Sequence, residues 1–399
     1  MGIEMDLKLD NDYAEFIKKT YKEMIPIKAI SPESGGVGEY EKAKYIEGVL
    51  SEMGIKAKWY NVKDSHGVTR PNLVAMYGSN NKKTFWIVAH TDVVPEGDIS
   101  LWKTKPFEAV IKGDYIYGRG TEDDGQGIML ALCVAKHLTE AKAEPRFRLG
   151  LAFVADEEVG SVYGAQYLVN KKIFSKRDFA LVPDAGNSDG SMIEIAEKHV
   201  LWLRFEVIGK QSHGSTPEKG INANRLGMLF YSELYDALHR RFNGRDMLFE
   251  PPVSTFEPTK KEQNVPNINT IPGTDVQYFD CRILPRYRVD AALSLVRKTA
   301  ADFSKLHGCK INISIVSRGD TPKPTRGAFV EEFSEAVKAA KNVEPKLMGV
   351  GGGTVAKYFR KIGIPSIVWM TIDETAHSPN EYAKISNIIS DTRVILKFL

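Results

Sequence analysis

Four apolar segments of the sequence, each rich in strand-forming residues, run directly into histidine or acidic side chains. Residues 85–89 lead into His90 and Asp92, and the other three segments are 149–155 before Asp156, Glu157 and Glu158, 179–183 before Asp184, and 367–370 before Asp373 and His377. Buried strands of this kind are typical of open α/β sheets, in which the carboxyl ends of parallel strands share one edge and ligands bind there. The pattern therefore predicts that these dispersed residues meet at one site.

A further carboxylate stands before a helix rather than after a strand. Residues 118–125 carry closely spaced glycines, which let the backbone turn sharply, and Asp123 comes just before an apolar helix predicted over residues 128–138. A helix N-cap would explain one such aspartate, because aspartate is favoured there. Metal ligation would explain it together with the other acids, and the residues alone leave both interpretations open. The same holds for His90 with Asp92, which could be a structural pair, and for Glu157 and Glu158, which could be a solvated acidic corner.

Residues 198 to 318 have a different pattern from the segments on either side. Strands are predicted at 200–208, near 252–256, at 275–283 and at 311–316, with helices at 222–238 and 289–307. This order is a βαββαβ unit of the ferredoxin type. We therefore expect an α/β protein with a mixed, mostly parallel sheet in a catalytic domain formed by residues 1–197 and 319–399, interrupted by an inserted domain at 198–318.

Charge and composition exclude several classes of partner. The 54 basic and 51 acidic residues leave a net charge of +3, too small to favour nucleic acid or an anionic membrane. The sequence has neither an apolar run approaching the roughly 20 residues of a membrane span nor a basic and then apolar leader. Its three widely spaced cysteines favour a reducing, cytoplasmic location. A nucleotide-binding α/β protein is disfavoured, because the glycines at 36 and 38 follow a polar loop instead of a strand.

At this point the residues resemble a known family, the co-catalytic zinc amidohydrolases that include aminoacylase, acetylornithine deacetylase, succinyl-diaminopimelate desuccinylase, and cytosolic dipeptidases such as carnosinase and peptidase T. The resemblance covers nearly the whole chain, and its motifs are His90-Thr91-Asp92, Gly118-Arg119-Gly120 with Asp123, Asp156-Glu157-Glu158, Asp184, His213-Gly214-Ser215-Thr216-Pro217, Asp280-Cys281-Arg282, Gly351-Gly352-Gly353-Thr354, and Ala376-His377-Ser378-Pro379-Asn380-Glu381. Each motif is weak by itself, but the set in this order is highly specific.

The resemblance implies a centre of two divalent metal ions. Asp123 would bridge the ions, while His90 and Asp184 complete one site and Glu158 and His377 complete the other. Imidazole and carboxylate ligands suit zinc, with cobalt or manganese as substitutes. Three carboxylates and one bridging hydroxide would balance two dications.

The resemblance also implies roles for residues that hold no metal. Asp92 would keep the imidazole of His90 in its metal-binding tautomer, and Glu157 would act as general base. His213, in the insert, would stabilise the oxyanion in the site of a partner subunit, which makes a homodimer through the insert part of the mechanism. A surface histidine in a turn is the alternative for His213.

Five further residues are assigned to the substrate. Arg282 resembles the family's binder of a substrate carboxylate, a task that suits a bidentate guanidinium, although an outward arginine on a strand would look the same. The other four are Asn269, Gly352, Gly353 and Thr354. Two departures from the common pattern are Gly125, where members often carry lysine, and Lys198-His199, where the insert usually opens with Lys-Gly. Neither position is a metal ligand.

The sequence thus predicts a metal-dependent amide hydrolase, with a dipeptidase or aminopeptidase as the main interpretation. Family deacylases tend to carry glutamate at the position of Asp184, and a shorter aspartate leaves room for a free α-amine. The alternative is an N-acyl amino acid deacylase of the desuccinylase or acetylornithine deacetylase type. A non-catalytic metal- or peptide-binding protein on the same scaffold is a third hypothesis, which the intact ligand set and Glu157 disfavour.

Overall fold

The computed structural model describes residues 9–399, which fold into two compact units. Its helices are α1 (Leu9–Met24), α2 (Tyr40–Glu52), α3 (Gly125–Glu140), α4 (Ala165–Asn170), α5 (Ala223–Arg241), α6 (Val289–His307), α7 (Ala328–Lys341), α8 (Ala356–Lys361) and α9 (Ile385–Phe398).

The strands, in chain order, are β1 (Ala57–Trp59), β2 (Val62–Lys63), β3 (Thr69–Arg70), β4 (Leu73–Tyr77), β5 (Thr84–His90), β6 (Val110–Lys112), β7 (Tyr115–Tyr117), β8 (Arg148–Val154), β9 (Phe179–Val182), β10 (Met192–Glu197), β11 (His199–Ile208), β12 (Ser212–His213), β13 (Thr255–Lys261), β14 (Thr270–Ile271), β15 (Thr274–Ile283), β16 (Lys310–Gly319), β17 (Lys346–Val350), β18 (Ser366–Val368) and β19 (Tyr382–Lys384).

Among the described residues, the first unit comprises 9–195, 324–348 and 354–399, and an eight-stranded sheet runs through it. The strand order is β1-β4-β8-β5-β9-β18-β10-β17. The four central strands, β8, β5, β9 and β18, are mutually parallel, whereas β1, β4 and β10 pair antiparallel with their neighbours. These four are the strands that the sequence predicted to end in ligand-type residues, so their carboxyl ends lie side by side.

The central strands are mainly apolar because helices cover both faces of the sheet. All seven residues of β5 are buried, which explains why its sequence does not alternate. On one face Trp86 packs with residues of α4 and α8, including Leu168 and Phe359. On the other, Phe85 packs against Phe398 of α9 with their ring centres 4.9 Å apart. This double cover fixes the strand ends from which the site is built.

The second unit comprises residues 196–323 and 349–353, where the sequence analysis placed an insert at 198–318. Its elements follow the order β11-α5-β13-β15-α6-β16, and the antiparallel sheet has the strand order β13-β15-β11-β16, as in ferredoxin-like folds. Along β11 the buried residues alternate with accessible ones, and the buried set packs under α5 and α6. The α/β fold class and the ferredoxin-like insert are therefore confirmed.

Among residues 9–399, none of the helices combines the length and the apolar character that crossing a bilayer requires.

Replacing Leu203 by alanine tests the core of the second unit. Leu203 is fully buried among the side chains of α5 and α6, so Leu203→Ala is expected to lower the free energy of unfolding of this unit by about 2–5 kcal/mol. The measurement is urea unfolding followed by circular dichroism. The matched control is Leu229→Ala on α5, a residue that is 46% exposed, which should change stability by about 0.5 kcal/mol or less. Equal losses in the two variants would contradict the assigned core.

Candidate metal centre

The loops that follow the four central strands, together with the loop before α3, bring five imidazole and carboxylate groups into one cluster of the first unit. His90 is the last residue of β5, Glu158 follows β8, Asp184 follows β9, and His377 lies beyond β18. Asp123 comes from the loop that precedes α3. Because β8, β5, β9 and β18 are adjacent and parallel, residues separated by nearly 300 positions in sequence become neighbours.

The two oxygens of Asp123 face two different imidazoles. Its Oδ1 lies 2.8 Å from His90 Nε2, and its Oδ2 lies 2.9 Å from His377 Nε2. Each imidazole also has a second carboxylate beside it, since Asp184 Oδ1 is 3.6 Å from His90 Nε2 and Glu158 Oε1 is 3.1 Å from His377 Nε2. The cluster thus consists of two imidazole and carboxylate pairs with the Asp123 carboxylate between them.

Glu157 belongs to the same cluster. One donor atom from each of His90, Glu157 and Asp184 lies within 4.8 Å of the others, and the same is true of His90, Asp123 and Glu158. Both groups satisfy the geometry of a candidate cation site within the described part of the chain. His90 is common to them, so the imidazole stands at the centre of the cluster.

Electrostatics indicate that the cluster is built to hold positive charge. Burial raises the pKa of Glu157 well above its usual range, and the nearby charge of Asp184 raises it further. Hydrogen bonds to Asp123 and then Glu158 raise the pKa of His377 to about 10. Without cations, protons must therefore offset the crowded carboxylates. Divalent ions would supply that charge instead, and imidazole and carboxylate donors without a thiolate suit zinc, cobalt or manganese.

Asp92, to which the resemblance assigned the orientation of the His90 imidazole, contacts that ring more closely through its backbone carbonyl than through its carboxylate. Nδ1 of His90 lies 3.1 Å from the backbone carbonyl oxygen of Asp92 and 3.5 Å from its Oδ1. Since a carbonyl oxygen only accepts, Nδ1 donates the hydrogen, and Nε2 is the nitrogen that faces Asp123 and Asp184, where it would offer its lone pair to a bound metal ion. This is the tautomer that metal ligation needs.

The carboxylate of Asp92 also fixes the two glutamates that follow β8. Its Oδ1 accepts a hydrogen bond from the backbone N–H of Glu157 at 2.9 Å, and its Oδ2 accepts one from Glu158 at 3.1 Å. A third bond comes from the hydroxyl of Ser31 at 3.1 Å. Asp92 is completely buried, so these charge-assisted bonds hold the glutamate loop rigidly against β5.

Asp124, rather than Asp123, is the N-cap of α3. Its Oδ1 accepts the backbone N–H of Gly127 at 3.0 Å, while its Oδ2 accepts the backbone N–H of His90 at 2.9 Å. The helix cap that was one interpretation of Asp123 is therefore provided by Asp124. Asp123 is left with its carboxylate directed at the two imidazoles.

A buried arginine, Arg70, contacts the loop after β8, and this residue was not predicted from the sequence. The Arg70 side chain is completely buried, with hydrogen bonds to Glu39 at 2.9 Å and Ser31 at 3.2 Å, and its Nη2 lies 3.5 Å from Asp156 Oδ1. Burial raises the pKa of Asp156 to about 6. Ser31 connects this ion-pair network to Asp92. The signal in the sequence was the run of three acids directly after β8, because buried carboxylates need a positive charge or hydrogen-bond donors nearby.

Five of the residues that the sequence assigned to the partner subunit's site or to the substrate lie in the second unit. His213 is exposed in β12, and Asn269 lies beside it, because the N–H of Gly214 donates to the carbonyl of Asn269 at 2.7 Å. Arg282 on β15 and the exposed Gly352 and Gly353 are the others. Thr354 belongs to the first unit, where its hydroxyl accepts the N–H of Ala356 at 3.2 Å. The functional roles of all six stay predictions.

The guanidinium of Arg282 is largely engaged within its own unit. Its Nε and Nη2 donate to the two carboxylate oxygens of Asp280 at 2.6 and 2.9 Å, and its Nη1 donates to the carbonyl of Gly351 at 2.9 Å. These bonds tie β15 to the glycine segment 351–353. A substrate carboxylate could use only the donors that remain on Nη1 and Nη2.

Comparison with known proteins bears on this centre. The model of peptidase family M20/M25/M40 matches residues 86–399. The chain belongs to this family. An uncharacterised metallohydrolase of Methanococcus maripaludis is 43% identical over 94% of this chain and 97% of its own length. A succinyl-diaminopimelate desuccinylase of Pelagibacter ubique is 25% identical over 95% of this chain and 96% of its own length.

Among solved structures, a tripeptidase from Staphylococcus aureus superposes with a TM-score of 0.76 at 18% identity, covering 96% of this chain and 97% of that one. At this identity the likeness concerns the fold. Together with the family match it confirms the resemblance drawn from the motifs, and the protein is a metallohydrolase of the M20 family with a candidate metal site at the strand ends.

Metal binding should stabilise the folded protein measurably. A ligand that binds only the native state adds about 2.7 kcal/mol at a concentration of 100 times its dissociation constant, so zinc is expected to raise the midpoint of thermal unfolding. In His90→Ala most of this increase should be lost, because His90 belongs to both candidate cation groups. The measurement is differential scanning calorimetry with and without metal. His66→Ala, an exposed histidine outside the cluster, is the control. Equal responses of the two variants would contradict the assigned centre.

Proposed function

We propose that the protein is a dipeptidase or aminopeptidase that hydrolyses small peptides at a centre of two divalent metal ions, with zinc as the native metal. His90 and Asp184 would hold one ion, Glu158 and His377 the other, and Asp123 would bridge them. The observation that carries the proposal is the Asp123 carboxylate, whose two oxygens lie 2.8 and 2.9 Å from two imidazoles that each have a further carboxylate beside them.

The chemistry divides between the ions and the side chains of the chain. When bound, the two ions polarise the amide carbonyl and lower the pKa of a water molecule towards about 7. Glu157 would take a proton from the attacking water, whose oxygen bonds to the amide carbon, and would pass that proton to the amide nitrogen as the C–N bond breaks, which leaves a carboxylic acid and a free amine. Asp92 would assist by holding the backbone of Glu157 and the ring of His90, which fixes the position of the base relative to a metal ligand.

The preference for peptides rests on the side chain at position 184. Aspartate is one carbon shorter than glutamate, and this leaves space beside His90 for the free α-amine of a peptide. The alternative is an N-acyl amino acid deacylase of the desuccinylase or acetylornithine deacetylase type. It is supported by the desuccinylase relative, which is 25% identical along almost the whole of both chains.

Arg282, Asn269, Gly352, Gly353 and Thr354 would contact the substrate, and Arg282 would bind its carboxylate. We further propose that the enzyme is a homodimer formed through the second unit, and that His213 stabilises the oxyanion in the site of the partner subunit. The exposed position of His213 supports this role, as does the hydrogen bond of 2.8 Å to Ser215 Oγ, which engages Nδ1 rather than Nε2. Free cysteines at positions 133, 281 and 309 support a cytoplasmic location.

Glu157→Gln separates the base from the metal ligands. The amide keeps the size of the side chain but cannot accept the proton, so kcat is expected to fall by at least about 10²- to 10⁴-fold while the metal content stays that of the wild type. The measurements are steady-state kinetics and elemental analysis of the purified variant. Glu140→Gln, an exposed glutamate on α3, serves as the control and should keep full activity. A fully active Glu157→Gln enzyme would refute the assigned base.

A hydrolysis panel decides between the two substrate classes. We expect turnover of unblocked dipeptides and much weaker turnover of N-acetyl and N-succinyl amino acids, because the proposed site accommodates a free α-amine. Dipeptides with an amidated carboxyl end should show a raised KM if Arg282 binds the substrate carboxylate. Amine release measured with each compound gives kcat/KM directly. Turnover confined to N-acylated compounds would overturn the peptidase proposal in favour of the deacylase.

A further inference from the structure

Two loops of the first unit meet beside the metal cluster, and each carries one of its ligands. The Asp123 loop, residues 118–124, follows β7, and the His377 loop, residues 371–381, precedes β19. β7 and β19 pair antiparallel with Tyr117 opposite Tyr382. This pairing places the end of one loop directly beside the start of the other.

Glu381, at the end of the His377 loop, binds the backbone of the Asp123 loop. Its Oε1 accepts hydrogen bonds from the N–H groups of Glu122 at 2.9 Å and Asp123 at 3.1 Å. Its Oε2 accepts the N–H of Gly120 at 3.0 Å and Nη1 of Arg119 at 2.5 Å. Glu381 is completely buried, and four donors occupy its two oxygens.

Glu122, in the Asp123 loop, binds the backbone of the His377 loop in return. Its Oε1 accepts the N–H of Asp373 at 2.8 Å. Its Oε2 accepts the N–H of Ala376 at 2.9 Å, together with the N–H and the hydroxyl of Thr375. Glu122 is only 2% exposed and also has four donors on its two oxygens.

The saturation of these carboxylates separates them from the metal ligands. A carboxylate offers about four lone-pair sites, and each glutamate accepts four N–H or O–H donors from the other loop, two on each oxygen of Glu381 and one and three on the oxygens of Glu122. Each oxygen of the two residues already accepts at least one hydrogen bond from the other loop. Their effect falls instead on the separation of Asp123 and His377, whose facing atoms are 2.9 Å apart.

We propose that Glu122 and Glu381 form a reciprocal clasp, a pair of positioning residues that sets the distance between Asp123 and His377 and so the affinity of the metal site these two form with Glu158. The inference rests on the proposed two-metal centre and assigns a role to two glutamates that neither bind metal nor touch substrate. Breaking either half frees both loops, since each loop is held by the carboxylate of the other.

Glu122→Gln and Glu381→Gln test the clasp. An amide keeps the shape but turns an N–H donor towards the backbone N–H groups, so each variant is expected to bind zinc at the site of Asp123, Glu158 and His377 about 10- to 100-fold more weakly. Zinc affinity at the site of His90 and Asp184 should change much less, because only Asp123 among the ligands of that site belongs to the two loops. Affinities are measured by competition with a chromophoric chelator. Because the clasp acts as a unit, the double variant should lose little more than either single variant, as a double-mutant cycle would reveal.

The matched control is Asp178→Asn, at the opposite ends of the same strands. The carboxylate of Asp178 is also buried and accepts the N–H groups of Thr84 and Ser175 and the indole N–H of Trp86, at 2.9–3.1 Å. Its amide variant should lose comparable stability yet keep wild-type zinc affinities. Zinc affinities that are unchanged in Glu122→Gln and Glu381→Gln, or equally weakened in Asp178→Asn, would overturn the clasp.

Hydrogen exchange of the metal-free protein distinguishes failure of the clasp from failure of the metal centre. In Glu381→Gln the amides of residues 120–123 should exchange roughly 10- to 100-fold faster, with a smaller increase at residues 373–376. In Glu122→Gln the larger increase should be at residues 373–376 and the smaller one at 120–123. Unchanged exchange in both variants would refute the clasp whatever the metals do. Wild-type protein that binds no divalent metal would instead refute the proposed function, together with the effect of the clasp on affinity.

Discussion

The crowding of negative charge at the ends of four parallel strands is the constraint on which the first unit depends. The structure resolves it by giving its carboxylates two kinds of partner. One group accepts hydrogen bonds chiefly from backbone N–H groups, and it consists of Asp92, Asp124, Glu122 and Glu381. The second group directs its carboxylate oxygens at imidazoles, and it consists of Asp123, Glu158 and Asp184. Carboxylates of the first group hold the loops in place, whereas those of the second group could bind cations. The hydrogen-bond partners of each carboxylate therefore distinguish a structural role from a candidate metal-binding role.

Much of this arrangement could be predicted from local sequence. An apolar run that ends in a histidine or an acid identifies both a strand and its carboxyl end, which is why β5, β8 and β9 and the residues after them were found. The alternation of β11 and the apolar spacing of α6 likewise predicted the ferredoxin-like unit. In each case the signal lies within one element, where periodicity and chemistry coincide.

The interactions that hold the site were not predictable in this way. The bonds of Glu381 reach residues about 260 positions earlier, and they end on backbone N–H groups, which every residue except proline carries. Such contacts leave no pattern in side-chain identity. Asp124 was obscured by its neighbour, because two adjacent aspartates offered one cap and one ligand with nothing local to divide the roles. The ion pair between Asp280 and Arg282, unlike these contacts, could have been predicted from the sequence, because residues two apart on a strand share a face.

The chain crosses from the first unit to the second and back before the cluster of imidazole and carboxylate groups is complete. Asp184 precedes the whole of the ferredoxin-like unit, and His377 follows it. During synthesis on the ribosome, the pair formed by His90 and Asp184 therefore emerges long before the partner of Glu158. At that stage four of the five residues of the cluster, His90, Asp123, Glu158 and Asp184, have been translated, and the cluster stays incomplete until His377 follows the ferredoxin-like unit.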